Sequence, residues 1–404
     1  MNTTPQSNRL TVSIFGRCNA GKSALFNAIT NTENAIVSDM PGTTTDPVSK
    51  SMELLPHGPI VLIDTAGLGD DSALGAARIK KTQSILNRTD LALYAIDAQA
   101  PALDDYRDFA QEFARRALPC LPLITKSDAV PAAALATLSA QVPDALPVSD
   151  RRPEELIRVK AEMSRRLDTL REDRPMLRDL LPAGAVVVMV VPVDSEAPRG
   201  RLILPQVQLI RECLDGGHRC HVTTEKELPQ ALRELKRVDL VVTDSQAFAL
   251  VARTVPAEIP LTGFSILMAR QKSDLSVLLA GAQAVSDLQD GDRVLIAETC
   301  THNHSHEDIG RVKIPALLQK TTGRALHLDF AAGRDYPERL EDYALVIHCG
   351  GCMISRVEMM NRIRTARDKQ VPITNYGLFL AHCHGILERS TAPLRAAGEV
   401  PLHV

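Results

Sequence analysis

A chain of 404 residues is too long for one ordinary core of roughly 100–200 residues, and 45% hydrophobic with 24% charged residues is the make-up of a protein that folds throughout. A net charge of −3, only 3% aromatic residues and no Trp leave it without the basic footprint and base-stacking platforms of a nucleic-acid binder. Its longest apolar run, Ala185 to Val193, falls far short of the ~20 residues that span a bilayer, and no basic stretch with a signal core opens the chain, so a cytoplasmic location is expected.

From Leu10 to about Arg171, short apolar segments alternate with amphipathic helices, the pattern of an α/β unit with a mostly parallel sheet covered on both faces. Strands are predicted at Thr11–Phe15, Ile60–Asp64, Leu91–Asp97, Cys120–Thr125 and Leu146–Val148, and a charged helix over Pro153–Arg171 closes the unit. Pro175 and Leu181-Pro182-Ala183-Gly184 read as a linker, because Pro and Gly interrupt the helical period. A second α/β unit follows, with strands at Val186–Val191, His218–Val222, Leu240–Thr243 and Ile259–Phe264; it carries no catalytic motif and reads as a structural or oligomerisation module. The third unit again alternates strand and helix, with strands at Val294–Glu298, Ala325–Phe330, Ala344–His348 and Pro372–Asn375. The expected domains are 1–172, 173–268 and 269–404, of related architecture without a sequence repeat.

The first predicted strand runs into Gly16-Arg17-Cys18-Asn19-Ala20-Gly21-Lys22-Ser23, and a helix-compatible run follows. This is the context of a P-loop: glycines let backbone amides wrap phosphates, Lys22 reaches the β/γ oxygens and Ser23 holds Mg²⁺. Asp64-Thr65-Ala66-Gly67 ends the next strand, where an Asp holds the Mg²⁺ shell and a Gly amide senses a γ-phosphate. Between them, Pro41-Gly42-Thr43-Thr44-Thr45-Asp46 offers hydroxyls to the metal, Thr44 being the expected ligand. Thr125-Lys126-Ser127-Asp128 follows a further strand, and an Asp there accepts guanine N1–H and the 2-amino group. The nucleotide set is thus Gly16, Asn19, Ala20, Gly21, Lys22, Ser23, Ala24, Asp64, Gly67, Lys126, Asp128 and Ser149, with Lys22, Thr44, Asp64 and Gly67 serving catalysis.

These residues resemble the translation-factor-related GTPases, in the branch of Era and the tRNA-modifying GTPase MnmE, over about residues 10–171. Members usually have Asn where Thr125 stands, which implies a looser grip on the base. The resemblance also implies that Asn19 helps bind K⁺ in place of an arginine finger, giving K⁺-stimulated hydrolysis. Leu68 stands where Ras-like enzymes have the water-orienting Gln, which implies slow intrinsic turnover.

Eight scattered cysteines do not form the framework of a small secreted protein. Cys300-Thr301-His302 and His348-Cys349-Gly350-Gly351-Cys352 stand at metal-ligand spacing, at the carboxyl ends of predicted parallel strands, with a helix (Ile354–Arg367) expected just behind. Three thiolates could hold three corners of a 4Fe–4S cubane, with His302, His304, His306 or His348 as loose fourth ligand or support; the same spacing permits a Cys₃His zinc site. His382-Cys383-His384 falls in a predicted helix and is read as packing or surface, the group Cys213, His218, Cys220 and His221 as structural, and Cys18 as a P-loop position that needs no thiol chemistry.

The P-loop, Pro-Gly-Thr-Thr-Thr-Asp-Pro at 41–47, Cys-x-His at 300–302 and His-Cys-x-x-Cys at 348–352 together resemble the HydF family of FeFe-hydrogenase maturation GTPases over essentially the whole chain. The resemblance implies a homodimer with a GTPase domain, a central dimerisation domain and a C-terminal domain whose Cys300, Cys349 and Cys352 bind a 4Fe–4S cluster with an exchangeable fourth ligand. It further implies a scaffold that carries a di-iron precursor with CO and CN ligands, with two radical-SAM maturation enzymes and the apo-hydrogenase as partners. The alternative is an Era- or MnmE-like RNA-associated GTPase with a structural zinc site.

Overall fold

The apolar, β-branched run Leu10–Gly16 forms a central strand, β1, in which every residue from Thr11 to Phe15 is buried, as a parallel strand covered on both faces must be. The computed structural model describes residues 5–30, 38–39, 48–65, 82–170, 174–193, 200, 202–299, 309–333, 336–337, 339–396 and 398. The chain divides into two compact units, Met1–Asp173 and Arg174–Val404.

In the first unit β1 is followed by β2 (Ser38–Asp39), β3 (Val48–Leu54), β4 (Gly58–Asp64), β5 (Leu91–Asp97), β6 (Cys120–Thr125) and β7 (Leu146–Val148). They form one sheet in the order β2-β3-β4-β1-β5-β6-β7, parallel except for β2–β3 and β3–β4. All five strands expected here are present, and the helix Pro153–Leu170 closes the unit; β3 is an addition, antiparallel along the whole of β4. One face of the sheet packs Val12, Ile14 and Leu93 against Leu25, Ile29, Val159 and Met163. The other packs Phe15, Tyr94 and Ile96 against Phe113 of the helix Leu103–Arg115.

A buried acid sits at the foot of β1. The Asp90 carboxylate accepts the Thr11 backbone N–H at 2.7 Å, and burial pushes its pKa up to about 7. A carboxyl raised by folding favours the folded state only while protonated: its stabilisation is complete below about pH 4 and lost as pH rises through about 7, on the order of a few kcal/mol. Asp90→Asn, which keeps an acceptor for Thr11, should remove that slope. Urea midpoints of wild type and variant should therefore converge near pH 4 and separate above about pH 7, the variant being the more stable; parallel profiles would refute the assignment.

The second unit contains two four-stranded parallel sheets. The first has β8 (Val186–Val190), β9 (Arg219–Thr223), β10 (Leu240–Thr243) and β11 (Leu261–Gly263) in the order β11-β10-β8-β9. The second has β12 (Arg293–Glu298), β13 (His327–Ala332), β14 (Leu345–His348) and β15 (Ile373–Asn375) in the order β13-β12-β14-β15. Numbered within each sheet, both orders are second, first, third, fourth, so the expected relation holds between these two sheets, while the seven-stranded sheet of the first unit, with antiparallel β2 and β3, departs from it. The segments read as 173–268 and 269–404 share one hydrophobic cluster, in which Leu267 and Met268 belong to the same core as Leu295, Ile347 and Phe379. The stretch read as a linker is seated, too: Met176 and Leu177 are fully buried, and Asp179 pairs with the buried Arg270 at 2.6 Å. Apolar side chains at 176 and 177 outweigh the breaking effect of Pro175 and Pro182.

Candidate functional site

The P-loop leaves β1 through Gly16, whose φ of +136° and approach to β5 exclude any side chain: a Cβ there would lie 2.5 Å from the Ala95 carbonyl oxygen. Asn19, at φ +63°, turns the chain back toward the helix Lys22–Thr30. Lys22 is buried at the start of that helix and donates to the carbonyls of Gly16 at 2.9 Å and Arg17 at 2.5 Å. Burial lowers its pKa, opposed by the charge of Asp64 at the end of β4. Ser23 and Ala24 are exposed on the first helical turn, and Thr65 donates its hydroxyl to the Ile14 carbonyl. A cleft of about 430 Å³ opens beside the loop, lined by Gly16, Asn19, Ala20, Thr65 and Asp97 among others. Thr43, Thr44, Thr45, Gly67 and Leu68 lie outside the described residues.

The segment expected to recognise the base follows β6. Thr125 donates its hydroxyl to the Ala20 carbonyl at 2.8 Å, with the Ile96 carbonyl at 3.1 Å, and so ties the P-loop to β5 and β6. Lys126 takes the left-handed conformation, φ +55°, and its ammonium reaches Asp97 at 2.6 Å. A hydrogen bond from Ser149 holds the Asp128 carboxyl below the usual carboxylate range, reinforced by the nearby guanidiniums of Arg151 and Arg152. The anionic Asp128 is the form that accepts two N–H donors from a guanine edge. Of the residues expected to bind nucleotide, Gly16, Asn19, Ala20, Gly21, Lys22 and Asp64 thus lie around the loop after β1 and the end of β4, and Lys126, Asp128 and Ser149 after β6 and β7.

In the second unit Cys349 follows β14, and its backbone N–H donates to Ala297 of β12 at 2.8 Å, extending the ladder by one residue. Strand order reverses between β12 and β14, so this loop stands at the topological switch point of its sheet. Both Thr299 polar groups converge on the sulfur: the backbone nitrogen and the hydroxyl each lie 3.2 Å from Cys349 Sγ. Burial pushes the Cys349 thiol up, while these contacts pull it down. Gly351, at φ +63°, turns the chain to Cys352, which like Cys349 is partly exposed and in no disulfide. The helix behind the loop is Arg356–Asp368, capped by Ser355, two residues later than expected.

His348 is fully buried and both ring nitrogens are engaged: Nδ1 lies 2.7 Å from the Cys349 carbonyl and Nε2 3.0 Å from Arg362 Nη1. Nε2 accepts from the guanidinium, so Nδ1 carries the proton; burial and Arg362 pull its pKa down to about 3. The ring therefore supports the loop from behind, leaving no lone pair for a metal. Cys300, His302, His304 and His306 lie outside the described residues, and among the described ones no three His, Cys, Asp or Glu side chains form a metal-holding group.

The sequence reading did not include Thr299, Arg362 or Lys272. Lys272, at the end of the helix Phe264–Lys272, is buried and donates to the carbonyls of Cys352 at 3.2 Å and Ile354 at 3.1 Å; desolvation lowers its pKa to about 8. Of the remaining groups, Cys213 is buried, Cys220 Sγ lies 3.6 Å from Met189 Sδ, burial pushes the Cys383 thiol up, and Cys18 is exposed.

Comparison with known proteins agrees with this division. Residues 11–126 match a family described as 50S ribosome-binding GTPase. Der, a GTPase of Sulfurimonas denitrificans, is 34% identical over 125 residues, which is 30% of this chain and 25% of that protein. The tRNA modification GTPase MnmE of Helicobacter pylori is 35% identical over 132 residues, 32% of this chain and 29% of that protein. The chain thus spans less than a third of the length of these relatives, and the likeness is confined to the GTPase domain. Beyond it, residues 176–273 match the hydrogen maturase F dimerization domain and residues 276–393 the hydrogen maturase F tetramerization domain. With a GTPase domain followed by both of these domains in order, the chain belongs to the hydrogen maturase F family.

Proposed function

We propose that the chain is a GTP-hydrolysing scaffold of FeFe-hydrogenase maturation, whose Cys300, Cys349 and Cys352 hold a 4Fe–4S cluster. The observation that carries this is the Cys349 sulfur at the switch point of the second sheet, met by the backbone nitrogen and hydroxyl of Thr299, the residue before Cys300. Hydrogen bonds to sulfur stabilise a thiolate ligand, and a loop with two cysteines at the end of a parallel strand fits a cluster with one iron open to exchange. The cargo would be a di-iron precursor with CO and CN ligands, received from radical-SAM maturation enzymes and passed to the apo-hydrogenase in the cytoplasm. GTP with Mg²⁺, held by Ser23 and Thr44, would bias the contacts with those partners, and the chain would work as a homodimer, assembling further through its tetramerization domain. His348 and Arg362 would support the cluster loop, and His302 would stay a candidate for the exchangeable position.

Anaerobically purified chain should be brown, with about four irons per chain. Colourless protein with stoichiometric zinc would overturn the cluster reading in favour of an RNA-associated GTPase. For the nucleotide end, Asn19 in the P-loop is the expected K⁺ ligand. GTP turnover should therefore rise roughly tenfold when Na⁺ buffer is replaced by K⁺, and Asn19→Ala should lose the difference. Equal rates in both buffers would remove K⁺ from the mechanism.

A further inference from the structure

The Cys349–Cys352 loop is gripped from its far side by a residue of the neighbouring domain. Lys272 lies in the segment matched by the dimerization domain, whereas both cysteines lie in the segment matched by the tetramerization domain. Only 4% of Lys272 is exposed, and its ammonium donates to Cys352 O and Ile354 O, on either side of the exposed Met353. No carboxylate among the described residues lies within ion-pair distance of it, which sets it apart from Arg270, two residues earlier on the same helix and paired with Asp179. A buried ammonium held only by two carbonyls is expensive, since neutral acceptors offset little of its desolvation. The charge of an ionised Cys352 thiol would act on Lys272 and offset part of this cost.

We propose that Lys272 is a positioning residue for the cluster: it fixes the Cys352–Ile354 turn and supplies the positive charge that an anionic iron–sulfur group in this loop requires. The inference rests on the cluster reading above and assigns the charge balance of that site to a residue of the adjoining domain. One-electron reduction of a 4Fe–4S cluster adds a negative charge to it, so a fixed ammonium at the loop favours the reduced form. Lys272→Gln can still donate to a carbonyl but loses the charge; Lys272→Met loses both; Lys272→Arg keeps the charge.

The test uses the full-length chain, reconstituted anaerobically with iron and sulfide. Readouts are the iron retained per chain against a chelator and the midpoint potential of a dithionite titration followed by EPR. Gln and Met variants should lose iron several-fold faster than wild type and titrate at a more negative potential, the Met variant losing iron fastest. The Arg variant should stay near wild type. Two charge-removing variants keep the test open if one fails to fold, which far-UV circular dichroism would reveal. Wild type that holds iron beside Gln and Met variants with unchanged retention and potential overturns this inference alone. Wild type that holds no iron overturns the cluster reading, and this inference with it.

Discussion

Lys22→Ala should lower GTP turnover by about two to three orders of magnitude, the scale on which removing one fixed donor to developing charge acts in other enzymes. Lys22 is buried and folded back over the loop onto the carbonyls of Gly16 and Arg17, with the charge of Asp64 acting on it across β1 and β4. Its desolvation is met in building the fold, so exchanging two carbonyls for phosphate oxygens gains a charged partner at little further cost in water or side-chain freedom. Single-turnover phosphate release and the affinity for a fluorescent GDP analogue should both fall, the rate more than the affinity, because charge on the β/γ oxygens grows toward the transition state. A variant within threefold of wild type in rate would show that the phosphates bind elsewhere.

How much of this was legible in the sequence depended on how local its causes are. The P-loop could be read because its glycines, lysine and serine act within eight consecutive residues that join a strand to a helix. The strands flanking the cysteines were equally legible, since apolar runs at 294–298 and 344–348 are buried parallel strands with near-continuous apolar sequence. β3 escaped because Val48–Leu54 reads Val-Ser-Lys-Ser-Met-Glu-Leu: only its last residues are buried, and its pairing with β4 specifies it rather than its own hydrophobicity. The partners of the cysteine loop were illegible for another reason. Lys272 meets Cys352 across 80 residues, a contact that exists only once two sheets share a core, and Arg362 meets His348 from the helix that packs behind the loop. His348 shows the same limit: spacing made it a candidate ligand, and only the fold reveals that both its nitrogens are spent.

Cys349→Ser and Cys352→Ser should each lower iron retention by about tenfold or more, since even residues that only support a ligand cost 10–100-fold in metal affinity. The two variants differ in what they leave behind. At 349 a serine oxygen would still face the Thr299 nitrogen and hydroxyl, now 3.2 Å from sulfur, so the apo chain keeps its local hydrogen bonds and should melt close to wild type. At 352 the thiol is partly exposed and its backbone carbonyl, not its sulfur, is held by Lys272, so the loop geometry also survives the change. Loss of iron with a preserved melting curve therefore isolates the thiolates as ligands. Serine oxygen is a poor substitute for sulfur toward iron and for a soft zinc site alike, so the identity of the metal lost, read from the absorption spectrum and metal analysis of wild type, decides between cluster and zinc. Iron retained at the wild-type level in both variants would leave the two thiols of this loop as packing, and would move any cluster away from the switch point of this sheet.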